Sequence, residues 1–199
     1  MNVFPLILEH MYIVITAMAI AAFLGVVLGV AAYWVKWLAP LLMGLAETIQ
    51  TIPSLALLAM LMILLGLGNA TMIAGLVLYA LLPIMRNTHT GLTGVSESVK
   101  DAARGMGMSK IQRLFQVELP LSFPLIFSGL KLALVNSLSI AVMGVLIGAG
   151  GLGYPIYRGI QTRHIGRIVT GALPVVLMAL LFDALMSRVE KRLSKQGQT

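Results

Sequence analysis

Residues 11–35 read MYIVITAMAIAAFLGVVLGVAAYWV, a run that contains no charged side chain. With a rise of about 1.5 Å per residue, a helix of this length crosses a hydrocarbon core of roughly 30 Å with some tilt. Lys36 follows the run, and the aromatic residues Tyr33, Trp34 and Trp37 surround its end, as is typical of a membrane interface. The stretch therefore predicts a transmembrane helix.

The composition of the whole chain agrees with a membrane protein. Of the 199 residues 59% are hydrophobic, and the mean hydropathy is +0.96, whereas soluble domains are about 45–50% apolar. Cysteine is absent, which excludes disulfides and thiolate metal sites. The three histidines are far apart and have no metal-binding spacing. We therefore expect neither a metal site nor a cofactor.

Further apolar runs predict an all-α integral membrane protein. Residues 48–85 carry no charge, but Gly66 to Asn69 interrupt the run with turn-forming residues, so we predict two helices there. Pro53 should kink the first of them or mark an irregular start. A last apolar run precedes the basic tail. In all, about five transmembrane helices are predicted, over about 11–35, 41–66, 70–86, 120–147 and 168–187.

The distribution of basic residues predicts the orientation. The net charge is +7, and the 14 Lys and Arg residues fall between the apolar runs, which argues against a nucleic-acid partner. An external N-terminus places all of them on the inner side except Arg158, Arg163 and Arg167. We therefore expect the C-terminus and the polar loop over 87–118 to be cytoplasmic.

The polar loop ends in a patterned stretch, SVKDAARGMGMSKIQRLFQVELP, at residues 98–120. S-x-x-D spacing at Ser98 and S-x-x-Q spacing at Ser109 predict two helix starts. Gly105 and Gly107 permit a sharp turn between them, and Pro120 should end the second helix before the next span. This second helix carries an apolar stripe made of Ile111, Leu114 and Phe115. The pattern predicts a helix–turn–helix lying against the inner membrane face.

This stretch resembles the E-A-A loop of the permeases of ATP-binding-cassette (ABC) importers. That loop has E-A-A, three residues, Gly, nine residues, Ile, one residue and Leu-Pro. Here the positions are Asp101-Ala102-Ala103, Gly107, Val117 and Leu119-Pro120, with two conservative departures. The resemblance implies a coupling helix that docks on a separate ATPase subunit. The residues to which it assigns this role are Asp101, Ala102, Ala103, Gly105, Gly107, Leu119 and Pro120.

Three other segments, residues 48–56, 79–88 and 148–153, look like the permeases for glycine betaine, carnitine and choline. The resemblance implies the fold of a type I ABC importer permease (MetI-like) in a bacterial plasma (inner) membrane. It also implies a second permease, identical or homologous, a cytoplasmic ATP-binding subunit and an external binding protein. The chain has no G-x-x-x-x-G-K-[ST] motif, so ATP hydrolysis is expected on another polypeptide and not on this one.

Polar residues deep in the apolar runs are the candidates for a translocation pathway. Helix–helix hydrogen bonding is an equally good interpretation of them. Three ionisable residues in the runs, Glu47, Lys131 and Asp183, are interpreted as snorkelling or paired between helices. The candidates for the pathway are Gln50, Thr51, Pro53, Asn136 and Ser137, with Ser139 nearby.

Two other functions remain open at this stage. The chain could be an ABC permease for another small solute, such as an amino acid, or a secondary transporter driven by an ion gradient. A secondary transporter would usually show inverted repeats and an ionisable relay within the membrane. Neither pattern is visible, and no nucleophile or metal constellation indicates an enzyme. Aromatic residues are only 7% of the chain, so we expect no tight aromatic cage for a quaternary ammonium solute.

Overall fold

The computed structural model describes residues 2–196, and side chains as far as residue 192. These residues form helices and turns and no strand, as predicted. The nine α-helices are α1 Phe4–Trp34, α2 Leu38–Thr51, α3 Ser54–Leu65, α4 Asn69–Gly94, α5 Glu97–Gly105, α6 Lys110–Arg113, α7 Leu119–Ile140, α8 Gly153–Gln161 and α9 Ile165–Gln196. A π-helical segment, Leu114–Glu118, joins α6 to α7, and a 3₁₀ segment, Ala141–Ile147, follows α7.

Helix α4 occupies the centre of the bundle. It packs against α1 on one side and α7 on the other, while α9 packs against α7 and α8. Ile13 of α1, Leu76 of α4 and Leu138 of α7 are fully buried in one apolar cluster. Small residues allow this close packing, which is the usual means by which membrane helices approach each other. The Cβ that a side chain would add at Gly29 of α1 lies 2.6 Å from Cβ of Thr88 on α4.

We expect Gly29→Leu to destabilise the bundle by about 1–3 kcal/mol, the usual cost of overpacking a core. The new side chain has no space because Thr88 and the Met85 carbonyl oxygen lie against this position. The measurement is the thermal unfolding midpoint in detergent. Gly44→Leu is the matched control, since no atom lies within 4 Å of the position that a Cβ would take there. Equal midpoints for the two variants would contradict the predicted packing role.

Helix α1 begins earlier than the predicted span because its polar residues find partners. The side chain of Glu9 accepts a hydrogen bond from the Gly151 N–H at 3.0 Å, and Nε2 of His10 lies 3.1 Å from the Leu138 carbonyl oxygen. The side chain of Asn69 also donates to Glu9 and accepts from the Gly150 N–H. Gly148 and Gly151, in the glycine-rich segment 148–153, have positive φ, the conformation that tight turns need.

The predicted helix over 41–66 is two helices in the structure. Helices α2 and α3 meet at 101° across a break at Ile52 and Pro53. The bend is much larger than an ordinary proline kink, because the backbone at both residues is extended and not helical. The pair forms either one broken span or a re-entrant loop.

Two predicted boundaries in the segment after α4 are wrong. Ser96, and not Ser98, is the N-cap of α5, and the side chain of Asp101 pairs with Arg104 on its own helix. Pro120 does not end a helix either, because it lies in the first turn of α7. The π-helical segment Leu114–Glu118 directly before α7 interrupts the regular hydrogen-bond ladder, and this accommodates a proline inside a continuous helical run. One helical run therefore extends from Lys110 to Ile147.

Four helical runs in the described residues are long and apolar enough to cross a membrane: Phe4–Trp34, Asn69–Gly94, Lys110–Ile147 and Ile165–Arg192. Counting the bent α2–α3 pair as one span gives a fifth. The fold class is thus the all-α membrane class that the sequence predicts.

Two short helices end in the same motif. At the end of α5 the Met108 N–H donates to the Ala103 carbonyl and the Gly107 N–H to the Arg104 carbonyl, which is the Schellman arrangement. Gly107 has φ +79°, as this motif requires. Helix α8 ends in the same way, but Arg163 takes the glycine position with φ +52°. A left-handed conformation costs a residue with a side chain roughly 1–2 kcal/mol.

Candidate functional site

A cavity of about 160 Å³ lies between α2, α4 and α7. It brings together three of the predicted pathway residues, Gln50, Asn136 and Ser137, although they are up to 87 positions apart in the chain (137 − 50). The cavity is smaller than the roughly 300 Å³ at which ligand pockets begin. Its lining consists of Gln50, Tyr79, Ala80, Pro83, Ala133, Asn136, Ser137 and Ile140.

The lining of the cavity is polar but carries no charge. It offers amides, hydroxyl groups and one aromatic ring, that of Tyr79. Such a site can hold water or a polar solute weakly, but it has no carboxylate to neutralise a cation. Of the other two predicted pathway residues, Thr51 donates to the Thr48 carbonyl of its own helix, and Pro53 caps α3. Neither lines the cavity.

Tyr79 joins α4 by hydrogen bonds to α2 and to the break between α2 and α3. Its hydroxyl group donates to the Ile52 carbonyl, and its own carbonyl accepts a hydrogen bond from the Gln50 amide at 2.9 Å. Sequence reasoning did not single out Tyr79 for this role. A partial signal was available, because Pro53 predicts a break in the helix, and an extended break leaves carbonyl groups that need a donor from another element.

The segment that resembles the E-A-A loop forms a helical hairpin made of α5, the turn after it, α6 and the π-helical segment Leu114–Glu118. Ser109 and Gln112 form the predicted capping box, with Ser109 Oγ accepting from the Gln112 N–H at 3.2 Å. Asp101, Ala102 and Gly107 are exposed, whereas Ala103 is buried. Three large apolar side chains are more than 60% exposed on this hairpin: Met106, Ile111 and Phe115.

Of the three residues in the predicted apolar stripe, Leu114 alone is buried. Leu119 and Pro120, which were also assigned to coupling, lie at the start of α7 beyond the hairpin. Leu119 is partly buried and Pro120 exposed, and neither belongs to the projecting tip.

A buried lysine joins the hairpin to the end of α1. Lys100 of α5 is only 4% exposed, and its ammonium lies 3.2 Å from the Glu97 carboxylate and 5.4 Å from the centre of the Tyr33 ring at the end of α1. Burial lowers the pKa of Lys100, but the contacts with Glu97 and Tyr33 outweigh it and raise the pKa above its ordinary value. The ammonium therefore stays charged at physiological pH.

A buried ion pair lies in the same segment. Glu118 is 1% exposed and pairs with the guanidinium of Arg113, itself largely buried. Charges are buried in proteins only when they are paired, because an unpaired buried ion is costly. Glu97 lies on α5 itself and is exposed, so the contact that joins α5 to α1 is that of Lys100 with Tyr33. The Arg113–Glu118 pair joins α6 to the π-helical segment before α7.

The ionisable residues within the apolar runs also form pairs. Glu47 of α2 pairs with Arg86 of α4, and Lys131 of α7 lies 2.8 Å from Glu190 of α9. This confirms inter-helix pairing for two of the three residues so interpreted. Within the described part of the chain, no group of three or more His, Asp or Glu residues is placed to hold a metal ion.

Comparison with known proteins identifies the family. Residues 4–195 match the family model described as the binding-protein-dependent transport system inner membrane component. The chain belongs to this family. The match covers nearly the whole chain, so it includes the cavity, the hairpin and the Schellman turns that end α5 and α8.

Relatives of this inner membrane component support the same conclusion. The chain is 38% identical to the osmoprotectant import permease protein OsmW of Salmonella typhimurium over 95% of this chain and 90% of the relative. It is 41% identical to the glycine betaine/carnitine/choline permease OpuCD of Bacillus subtilis, over 94% of this chain and 82% of the relative. A carnitine transport permease of Listeria monocytogenes is 42% identical over 87% and 78% of the two chains.

Solved structures share the fold of the component. An inward-facing chain of the methionine ABC transporter MetNI superposes with a TM-score of 0.82 at 21% identity, covering 96% of this chain and 95% of that one. An amino acid ABC transporter superposes with a TM-score of 0.77 at 18% identity, covering 95% and 92%. These likenesses confirm the predicted fold of a type I importer permease.

Sequence reasoning missed the roles of Glu9, Lys100 and Glu118 in this family member. In the sequence, Glu118 is one polar residue of a polar loop, and no local pattern predicts that its side chain is buried. Glu118 lies in the π-helical segment before α7, four positions after Leu114, and both residues are buried. The tertiary packing around this face, and not its local pattern, buries them.

Proposed function

We propose that this chain is the membrane-spanning permease of an ATP-driven importer for a compatible solute with a quaternary ammonium group, such as glycine betaine, carnitine or choline. The observation that carries the proposal is the similarity, along 87–95% of the chain, to permeases named for these solutes. The complex contains two permease chains, identical or homologous, a cytoplasmic ATP-binding subunit and an external binding protein.

In this proposal the hairpin of α5 and α6 docks into the ATP-binding subunit. Its exposed apolar side chains at Met106, Ile111 and Phe115 supply the contact area, and the exposed Asp101 supplies polar contact at the same tip. The contact of buried Lys100 with Tyr33 of α1, and the buried Arg113–Glu118 pair at the start of α7, make the hairpin move with the bundle and not independently of it. Closure of the ATP-binding subunits is thereby converted into reorientation of the spans.

The cavity at Gln50, Asn136 and Ser137 forms one half of the translocation pathway, and the second permease supplies the other half. It contains a single aromatic ring and no charge. A quaternary ammonium is bound tightly by several converging aromatic faces, so this cavity is a weak and permissive passage. Selection of the solute then belongs to the binding protein.

Equilibrium binding to the reconstituted complex tests the assigned function. We expect uptake of betaine, carnitine or choline only with the binding protein and ATP, and solute affinity weaker than millimolar when the binding protein is omitted. Isothermal titration with each of the three solutes, and with methionine as the comparison, measures that affinity. Selective micromolar binding without the binding protein would contradict the weak-passage proposal, and uptake of methionine alone would contradict the solute class.

The proposed orientation places the hairpin in the cytoplasm and the α8–α9 turn outside. The chain has no cysteine, so single introduced cysteines report their own side of the membrane. Ser98 and Gln161 are both exposed. In intact, wall-stripped cells we expect a membrane-impermeant maleimide to label Gln161→Cys and not Ser98→Cys. The reverse pattern would invert the topology, while labelling of both after lysis controls for access.

A further inference from the structure

An open groove of about 540 Å³ lies between α8 and the first turns of α9. It is separated from the α5–α6 hairpin by the full length of the run that contains α7, so it lies at the opposite end of the bundle. Its lining includes the side chains of Tyr154, Arg158, His164, Arg167 and Thr170.

The positive charges of the groove have no partner within the protein. Among residues 2–192, neither Arg158 nor Arg167 donates a side-chain hydrogen bond or joins an ion pair, and both are exposed. Residues 119–182 contain no Asp or Glu at all. The nearest acidic residue in the predicted outer part of the chain, Glu9, is already hydrogen-bonded to Gly151 and Asn69. A counter-ion for the groove must come from another molecule.

His164 adds a third donor to the groove. Its Nδ1 atom accepts a hydrogen bond from the Arg167 backbone N–H at 3.3 Å. When the ring is neutral, the proton is therefore on Nε2, which makes Nε2 a donor. Two guanidinium groups and an imidazole N–H match the oxygen atoms of a phosphate group.

An exposed apolar strip continues from the groove along α9. Gly166 and Thr170 line the groove, and Leu173 and Leu177 follow seven positions later on the same helix face. Leu173 and Leu177 are 53% and 56% exposed, and only 11% of the most apolar window of α9 is buried in the protein. From Thr170 to Leu181 the strip is roughly 16 Å long.

We propose that this groove binds an anionic phospholipid, with the headgroup phosphate between Arg158, His164 and Arg167 and an acyl chain along Leu173 and Leu177. An acidic protein surface would satisfy the arginines but would leave the adjoining apolar strip uncovered. A lipid satisfies both features. The site also explains why Arg158 and Arg167 lie in a segment that the distribution of basic residues places outside. It requires membrane insertion only and does not depend on which solute is transported.

Native mass spectrometry of the delipidated full-length chain, titrated separately with palmitoyl-oleoyl phosphatidylglycerol and phosphatidylcholine, tests the site. We expect phosphatidylglycerol to bind roughly tenfold more tightly than phosphatidylcholine. The double substitution Arg158→Gln and Arg167→Gln should weaken phosphatidylglycerol binding by roughly tenfold or more. Arg163→Gln is the matched control, since Arg163 is a neighbouring arginine that does not line the groove, and it should leave the affinity unchanged.

Two further probes separate the sources of the anion. Dihexanoyl phosphatidylglycerol, whose chains are too short for the strip, should bind much more weakly, and millimolar inorganic phosphate should not displace the long-chain lipid. Equal binding of both headgroups, or an equal loss in Arg163→Gln, would overturn the proposal. A third result would also overturn it. If the double variant binds lipid like the wild type but docks the external binding protein more weakly, the groove serves a protein partner. If the double variant keeps the wild-type thermal midpoint, a loss of lipid affinity comes from the groove and not from unfolding. If the double variant unfolds, the single variants Arg158→Gln and Arg167→Gln provide the same test.

Discussion

Gly107→Val is expected to lower solute uptake by roughly tenfold or more while leaving membrane insertion intact. Gly107 holds the left-handed position of the motif that ends α5, with φ +79°. This conformation costs a residue with a side chain roughly 1–2 kcal/mol, and a β-branched residue is the least adaptable. Each 1.4 kcal/mol corresponds to about a tenfold change in population. Only a minor fraction of molecules would then have the native turn, which sets the orientation of α6 relative to α5.

The effect should come from the backbone alone. No atom lies within 4 Å of the position that a Cβ would take at Gly107, so there is no steric clash to confuse the result. Gly94→Val is the matched control, because Gly94 also has open space but lacks a positive φ. Uptake into proteoliposomes that contain the ATP-binding subunit is the measurement. Wild-type uptake by Gly107→Val would contradict the docking role proposed for the hairpin.

Glu118→Leu should be the most destabilising of the substitutions discussed, at about 3 kcal/mol. Glu118 is 1% exposed, and its loss leaves the largely buried Arg113 without its carboxylate. Removing one member of a buried pair costs about 3–5 kcal/mol, because the remaining charge is uncompensated. Unfolding in detergent, followed by denaturant or heat, measures the change.

The double variant Arg113→Met with Glu118→Leu separates charge burial from simple loss of packing. Replacing both members of a buried pair with apolar residues is often neutral or stabilising. We therefore expect the double variant to recover most of the stability that the single variant loses. If the double variant is as unstable as Glu118→Leu, the buried charge is not the cause. Uptake by the recovered double variant then reports whether the hairpin needs the charged pair or only a rigid base.

The sequence alone determined the features that depend on composition and local spacing. Long uncharged runs must be helical in a membrane, because the bilayer cannot satisfy a free backbone N–H or C=O. The all-α fold class followed from this. The capping box at Ser109 and the turn at Gly107 are local devices, and the structure has both. The family resemblance depended on the spacing between Asp101 and Pro120, and the family match confirms the family.

Which distant residues meet depends on the packing of the helices. Gln50, Asn136 and Ser137 share a cavity because α2, α4 and α7 converge there, and no local pattern encodes that convergence. The local signals at Ser98 and Pro120 predicted the wrong boundaries. Helix α5 is capped by Ser96, and the helical run continues through Pro120 after a π-helical segment. Glu9, Tyr79, Lys100 and Glu118 were ordinary polar residues in the sequence. Each has its role because burial removes water, and a polar group without water takes the partner that the fold brings to it.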